Sequence, residues 1–249
     1  MILNVPRELV FRYLTENDRW ARWWGEGSTI DARPGGGVLI RLPGGVEVAG
    51  RVTEVSAPGS IAFTYGFRSG SPVPEGGSLV TIGLKDHNGG TKFRLAHTFA
   101  KEEPRNEHVQ GWRYQLALLC NAVANEAFNG ATDVVDTWFS TWSDADASGR
   151  DAALDRVASP DIEFRDQFSM VIGVDDLRPH LAAVHKFMPA MRLTRNGAIR
   201  QCQGVVLADW VAHAGDGNER GRGTNVFVLA PDGRIQTVTG FWNPAQPPS

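Results

Sequence analysis

Residues 104–128, PRNEHVQGWRYQLALLCNAVANEAF, decide how this chain is read. Val109, Trp112, Leu116, Leu119 and Val123 recur three or four residues apart, so they share one face of a helix. At 1.5 Å per residue, about 20 residues make a rod of about 30 Å, long enough to lie across a whole curved sheet. The turn dipeptide Asn129-Gly130 then ends the pattern. A helix that closes one half and a turn that opens another predict two modest domains, as 249 residues against ~150 per typical domain also do.

Towards the N-terminus, 91 to 99, 79 to 84, 60 to 67, 46 to 55 and 37 to 42 read as strands, with alternation clearest in Ile61, Phe63, Tyr65 and Phe67. Glycine pairs between them supply the positive φ of tight hairpins. Pro6 to Trp24 reads as one helix ended by Gly25. Beyond Gly130 the order reverses. Helices are expected at 131 to 143 and 149 to 158, then a short strand Ile162 to Asp166, and a helix after Gly173 buries Leu177, Leu181, Val184 and Met188. Strands at 191 to 200, 203 to 213, 223 to 230 and 234 to 242 follow, and the proline-rich tail 243–249 is expected to be loose and disordered. The fold class is therefore α+β, with domains at 1–128 and 131–242.

Composition narrows the function. The net charge is -3 with no basic block, which leaves nucleic acid without an electrostatic footprint. No apolar run spans a bilayer and the start lacks a signal peptide, so a cytoplasmic protein is expected, with no membrane partner. Cys120 and Cys202 sit in apolar stretches and read as buried free thiols. There is no dinucleotide-binding glycine fingerprint, phosphate loop, His-Glu-x-x-His or Cys-x-x-Cys, so neither a metal nor a cofactor is expected.

Several polar residues share faces with apolar ones. His97 alternates with Phe93, Leu95 and Phe99; a core histidine with satisfied nitrogens is the plainer reading, a ligand contact the other. Asp166 shares a face with Ile162 and Phe164, where it either caps the following turn or, desolvated, serves as a base. Asn225, beside Phe227 and Leu229, can donate through its amide. Trp112, Trp138, Phe164, Met188 and His180 complete the candidate pocket lining, whereas His87 and His108 read as surface residues. The face of Asp209 is left open by a strand that is apolar on both sides.

Two resemblances sharpen this. Val10-Phe11 with Leu14-Thr15, Trp23-Trp24, Gly35-Gly36-Gly37, Gly50-Arg51-Val52, Gly90-Thr91 with Leu95 and His97, and Gly111-Trp112 with Leu116 and Leu119 resemble the activator of heat-shock-protein-90 ATPase homologue-like family of the SRPBCC (START-related) superfamily. That resemblance implies a helix-grip fold, a long C-terminal helix over an antiparallel sheet, often around a hydrophobic cavity. Its usual opening strand is reduced here to Ile2 to Val5. Trp138 and Trp142 with Asp144 and Asp146, the run Pro160 to Asp166, Gly173 with Leu177, and Asp232 to Ile235 with Gly240-Phe241-Trp242 resemble the SnoaL-like branch of the nuclear transport factor 2-like superfamily. This implies a cone-shaped α+β barrel. Against the ketosteroid isomerase pattern, Asp166 matches the base, Asn225 falls near the oxyanion-stabilising acid and Trp138 near the tyrosine.

The expected function is binding of a small hydrophobic or polyketide-like molecule in internal pockets of both domains. The first alternative is a cofactor-independent cyclase or isomerase using Asp166 as base. The second is a protein interaction module, with homodimerisation left open.

Overall fold

The computed structural model describes residues 1–100 and 105–243; of the tail expected to be loose, all but Asn243 lies outside them. The chain separates into two compact units, Met1–Ala127 and Phe128–Ser249.

The first unit contains β1 (Ile2–Leu3), α1 (Arg7–Thr15), α2 (Asn17–Trp24), β2 (Thr29–Ile30), β3 (Gly37–Leu42), β4 (Val46–Ser56), β5 (Ser60–Phe67), β6 (Ser78–His87), β7 (Gly90–Phe99) and α3 (Arg105–Ala127). Its antiparallel sheet runs β1-β7-β6-β5-β4-β3-β2, a meander apart from β1, which pairs with β7. The expected single first helix is two. Glu16 takes extended dihedrals (φ -103, ψ 129) and Asn17 restarts the helix, so Trp20, Trp23 and Trp24 turn inward as a buried cluster. Tyr13 and Trp23 are joined across this break, the Trp23 indole donating to the Tyr13 carbonyl at 3.0 Å.

On α3 the inward stripe is Trp112, Gln115, Leu119, Val123 and Ala124. Val109 and Leu116, both expected on that stripe, are exposed and half-buried respectively, the buried face having moved by one position from Leu116 to Gln115. The helix is pinned at its C-terminal end. Glu126 accepts from the Tyr13 hydroxyl (2.9 Å), Arg19 (2.6 Å) and Arg22 (2.9 Å). Burial alone would raise its carboxyl, but those donors hold it below the usual range.

The second unit contains α4 (Ala131–Thr141), α5 (Ala147–Val157), β8 (Ala158–Arg165), β9 (Met170–Ile172), α6 (Val174–Phe187), β10 (Arg192–Arg195), β11 (Arg200–Cys202), β12 (Val205–His213), β13 (Glu219–Leu229) and β14 (Ile235–Trp242). The sheet order is β10-β12-β13-β14-β8-β9, with β11 also on β12; β14 and β8 run parallel and the other pairs antiparallel. Among the described residues no hydrogen-bonded ladder joins the β9 edge to β10 or β11, so the expected barrel is an open sheet. The strand expected over 191 to 200 is split into β10 and β11 around Gly197, whose φ is +83°. Cys202, expected to be buried, is exposed on the edge strand β11.

The inner face of this sheet is now defined. Val206, Ala208, Trp210 and Ala212 of β12 are buried, so Asp209 faces outward, where Thr224 Oγ1 donates to it at 2.6 Å. On β13 the buried set is Gly223, Asn225, Phe227 and Leu229. β12 and β13 lose register between Ala212, opposite Gly221, and His213, opposite Glu219, which leaves Arg220 as an extra residue.

Candidate functional site

Asp166 follows β8 directly, at the point where the chain turns into β9. Its Oδ1 accepts from the Phe168 amide (2.9 Å), the Ser169 amide (2.8 Å) and the Ser169 hydroxyl (2.9 Å). That is the turn-capping role, and it uses up one oxygen. Oδ2 has one long contact, a donation from the Trp242 indole at 3.4 Å. Asp166 therefore caps with one oxygen and presents the other.

Asn225 lies on the inner face of β13, buried to 6% exposure. Its Oδ1 accepts from the Trp210 indole at 2.9 Å, which leaves the amino group as the free arm of the amide. Opposite it across the ladder is Gly240. A Cβ there would stand 3.2 Å from Asn225 Oδ1 and 3.3 Å from Asp166 Cβ, so the glycine keeps open the space between the two polar residues.

Asp166 and Asn225 line one cavity of about 420 Å³. Its wall is mainly aromatic and aliphatic, with Trp142, Phe164 and Trp210 buried, Trp242 half-buried, and Phe168 and Met188 at exposed positions. His180 on α6 also lines it, packed by Trp142 (6.0 Å) and Phe164 (5.9 Å) between ring centroids, with Nε2 3.5 Å from Ser169 Oγ. Four of the expected residues, Asp166, Asn225, Phe164 and His180, are thus brought together, with Met188 at the edge. Trp138 is not among them. It is fully buried against Trp142, Phe164 and Phe227, and Trp142, one helical turn on, reaches the cavity instead. Trp210, Ser169, Arg220 and Gly240 were not singled out for the site by sequence reasoning. The inner face of β12 would have identified Trp210 once the face of Asp209 was known.

The first unit has its own cavity, of about 200 Å³, lined by Trp24, Tyr65, Phe67, His108, Trp112 and Gln115 among others. His108 was expected at the surface; it is half-buried there, its ring 4.7 Å from that of Phe99. Burial pushes the Tyr65 phenol up to about 12. Gln115 is buried to 7% exposure, with Oε1 lacking a hydrogen-bond partner among the described residues.

His97 stands behind this wall. The Ser78 hydroxyl donates its one hydrogen to the Tyr65 carbonyl at 2.8 Å, so at 2.8 Å from His97 Nε2 it can only accept. Nε2 therefore carries the proton, and Nδ1 accepts from the Trp112 indole at 3.0 Å. Both ring nitrogens are engaged by protein, in the plainer of the two expected arrangements, and the ring is held neutral. Burial, and to a smaller degree the neighbouring His108, lowers its pKa to about 3. Trp112, expected to touch ligand, does line the cavity, with its polar atom committed to His97.

Residues 4–124 match the Activator of Hsp90 ATPase homolog 1-like protein family. That match falls within the first unit and is the family its motifs implied. No curated protein matches the chain significantly. Among solved structures, a protein described as a candidate isomerase of the SnoaL-like family from Agrobacterium tumefaciens is 20% identical, over 45% of this chain and 96% of that one, with a TM-score of 0.44. The Aha1 dimer from Colwellia psychrerythraea is 18% identical over 49% and 91%, with a TM-score of 0.43. An NTF2-like protein from an Exiguobacterium species is 17% identical over 45% and 99%, with a TM-score of 0.39.

Proposed function

We propose that the second unit binds a small, mostly apolar molecule carrying a carbonyl group, held in the 420 Å³ cavity with its oxygen on the Asn225 amide. The observation that carries this reading is that Asp166 and Asn225 meet in one aromatic-walled space, which Gly240 keeps open between them. A few convergent polar groups in an apolar hollow are the usual make-up of a small-molecule site. The test uses two ligands of one shape, 2-acetylnaphthalene and 2-ethylnaphthalene, displacing the neutral fluorophore N-phenyl-1-naphthylamine. The ketone is expected to bind about fivefold to tenfold tighter, the worth of one hydrogen bond. Asn225→Leu should erase that preference while near-ultraviolet circular dichroism confirms the fold. Binding of neither ligand, or equal binding of both, overturns the reading.

A second reading has its own support in Asp166 Oδ2, whose one contact is the long donation from the Trp242 indole at 3.4 Å. That oxygen takes a proton from the carbon beside the bound carbonyl, the C–H electron pair moves into an enolate, and the Asn225 amide donates to the enolate oxygen. One neutral amide is a modest oxyanion donor, so slow proton exchange fits it better than demanding chemistry. Proton NMR in deuterated water reads it directly. Wild type should speed loss of the acetyl methyl signal of 2-acetylnaphthalene, and Asp166→Asn should lose that acceleration by about 100-fold or more. If wild type exchanges no faster than buffer, proton transfer falls and binding stands.

A further inference from the structure

Arg220 is the only permanent cation among the described residues lining this cavity. Strict alternation along β13 would place it on the outer face, because Gly221, Gly223 and Asn225 follow the inner one. The register slip opposite His213 makes Arg220 the extra residue of a β-bulge, and a bulge re-aims a side chain. The guanidinium therefore reaches the cavity rim instead of the far side of the sheet. Its protein partner is weak: Asp216, 3.3 Å away, in a pair with side chains 62% and 49% exposed. Exposed pairs of this kind hold little net free energy and exchange partners readily. Asp216 also accepts from the Asn218 amide and side chain, so it stays satisfied if Arg220 turns away. Glu219 and Arg222 are paired with each other at 2.7 Å, and the one carboxylate among the described residues lining the cavity, Asp166, has its Oδ1 taken up by the Phe168 and Ser169 donors.

We infer that Arg220 selects the ligand: the cavity takes an apolar molecule bearing a carboxylate, whose acidic group replaces Asp216 on the guanidinium while its body fills the aromatic interior. This rests on the binding reading above and adds the anionic group. A planar fork of N–H donors suits a carboxylate in a way that a lysine ammonium does not.

The test compares 2-naphthylacetic acid with 2-naphthylacetamide, which share one body and differ in charge, by calorimetry and by displacement of N-phenyl-1-naphthylamine at pH 7.5. In wild type the acid should bind about tenfold tighter than the amide, and the advantage should shrink as salt is raised. Arg220→Gln should bring the ratio to about one by weakening the acid alone. Arg220→Lys should keep part of the advantage, and Asp216→Asn should tighten the acid by removing its competitor. An acid-to-amide ratio unchanged in Arg220→Gln, or equal affinities in wild type, overturns the assignment of Arg220 while leaving the cavity reading intact. If neither compound nor the fluorophore binds wild type, the cavity reading fails and this inference with it.

Discussion

At the scale of single residues, both polar positions on the apolar faces at His97 and Asp166 do structural work that their sequence neighbours foreshadow. His97 is neutral and fixed in one tautomer by Trp112 and Ser78. Its pKa of about 3 lies below the ordinary 6.5, so between those values the unfolded chain binds the proton and the folded chain does not. This contribution to stability is complete above about pH 6.5 and is lost as pH falls towards 3. In denaturant unfolding followed against pH, the stability advantage of wild type over His97→Phe is therefore expected to narrow through that window; an advantage independent of pH would contradict it. For Asp166, the three donors on Oδ1 predict that Asp166→Ala costs about 2 kcal/mol of stability, whereas Asp166→Asn, which keeps an accepting oxygen, costs less than about 1 kcal/mol. What the sequence could not disclose is which oxygen does what, since capping and cavity exposure coexist on one carboxylate. Nor could it separate Trp138 from Trp142, because they stand four residues apart, Trp138 on α4 and Trp142 just past its end, and the outcome depends on where that helix stops.

At the scale of elements, periodicity located nearly all of the helices and strands, and it failed where one residue breaks a pattern without changing its hydrophobicity. Glu16 interrupts the first helix without a proline or glycine to mark it, held by Arg12 at 2.8 Å and by Arg19. The cut matters because it lets the three tryptophans of α2 enter the core while Arg19 and Arg22 reach Glu126 on α3. Removing that junction by Glu126→Ala is expected to destabilise the first unit by about 2 kcal/mol, since it strips Tyr13, Arg19 and Arg22 of one shared acceptor. Urea unfolding followed by tryptophan fluorescence measures it; a loss below about 0.5 kcal/mol would show the cluster to be ornamental. The slip in β13 belongs to the same class. Hydrogen-bond register is invisible to alternation, so Arg220 could only be found from coordinates.

At the scale of the whole molecule, each unit encloses its own core and its own cavity, so two cooperative unfolding transitions are expected by calorimetry. A saturating ligand of the second unit's cavity should raise one transition by mass action and leave the other in place. A single transition displaced as a whole would refute that separation. The division into an antiparallel grip and a helices-first sheet was legible because glycine punctuation and helical spacing act over long windows, where single-residue noise averages out. The cavities were expected only from polar residues on apolar faces and from the two resemblances, not from hydropathy. Whether an apolar face packs solid or hollow depends on small absences, such as the missing side chain at Gly240, that hydropathy does not register.

The supernumerary residue of β13 also makes the entrance easy to rewrite. Excising Arg220 by a single-codon deletion would set Glu219 directly before Gly221, the partner of Ala212, restoring an uninterrupted ladder. The rest of the strand would keep its phase and the interior its walls, while the doorway lost its positive charge. The charge at the entrance and the construction of the fold are thus written in separable letters.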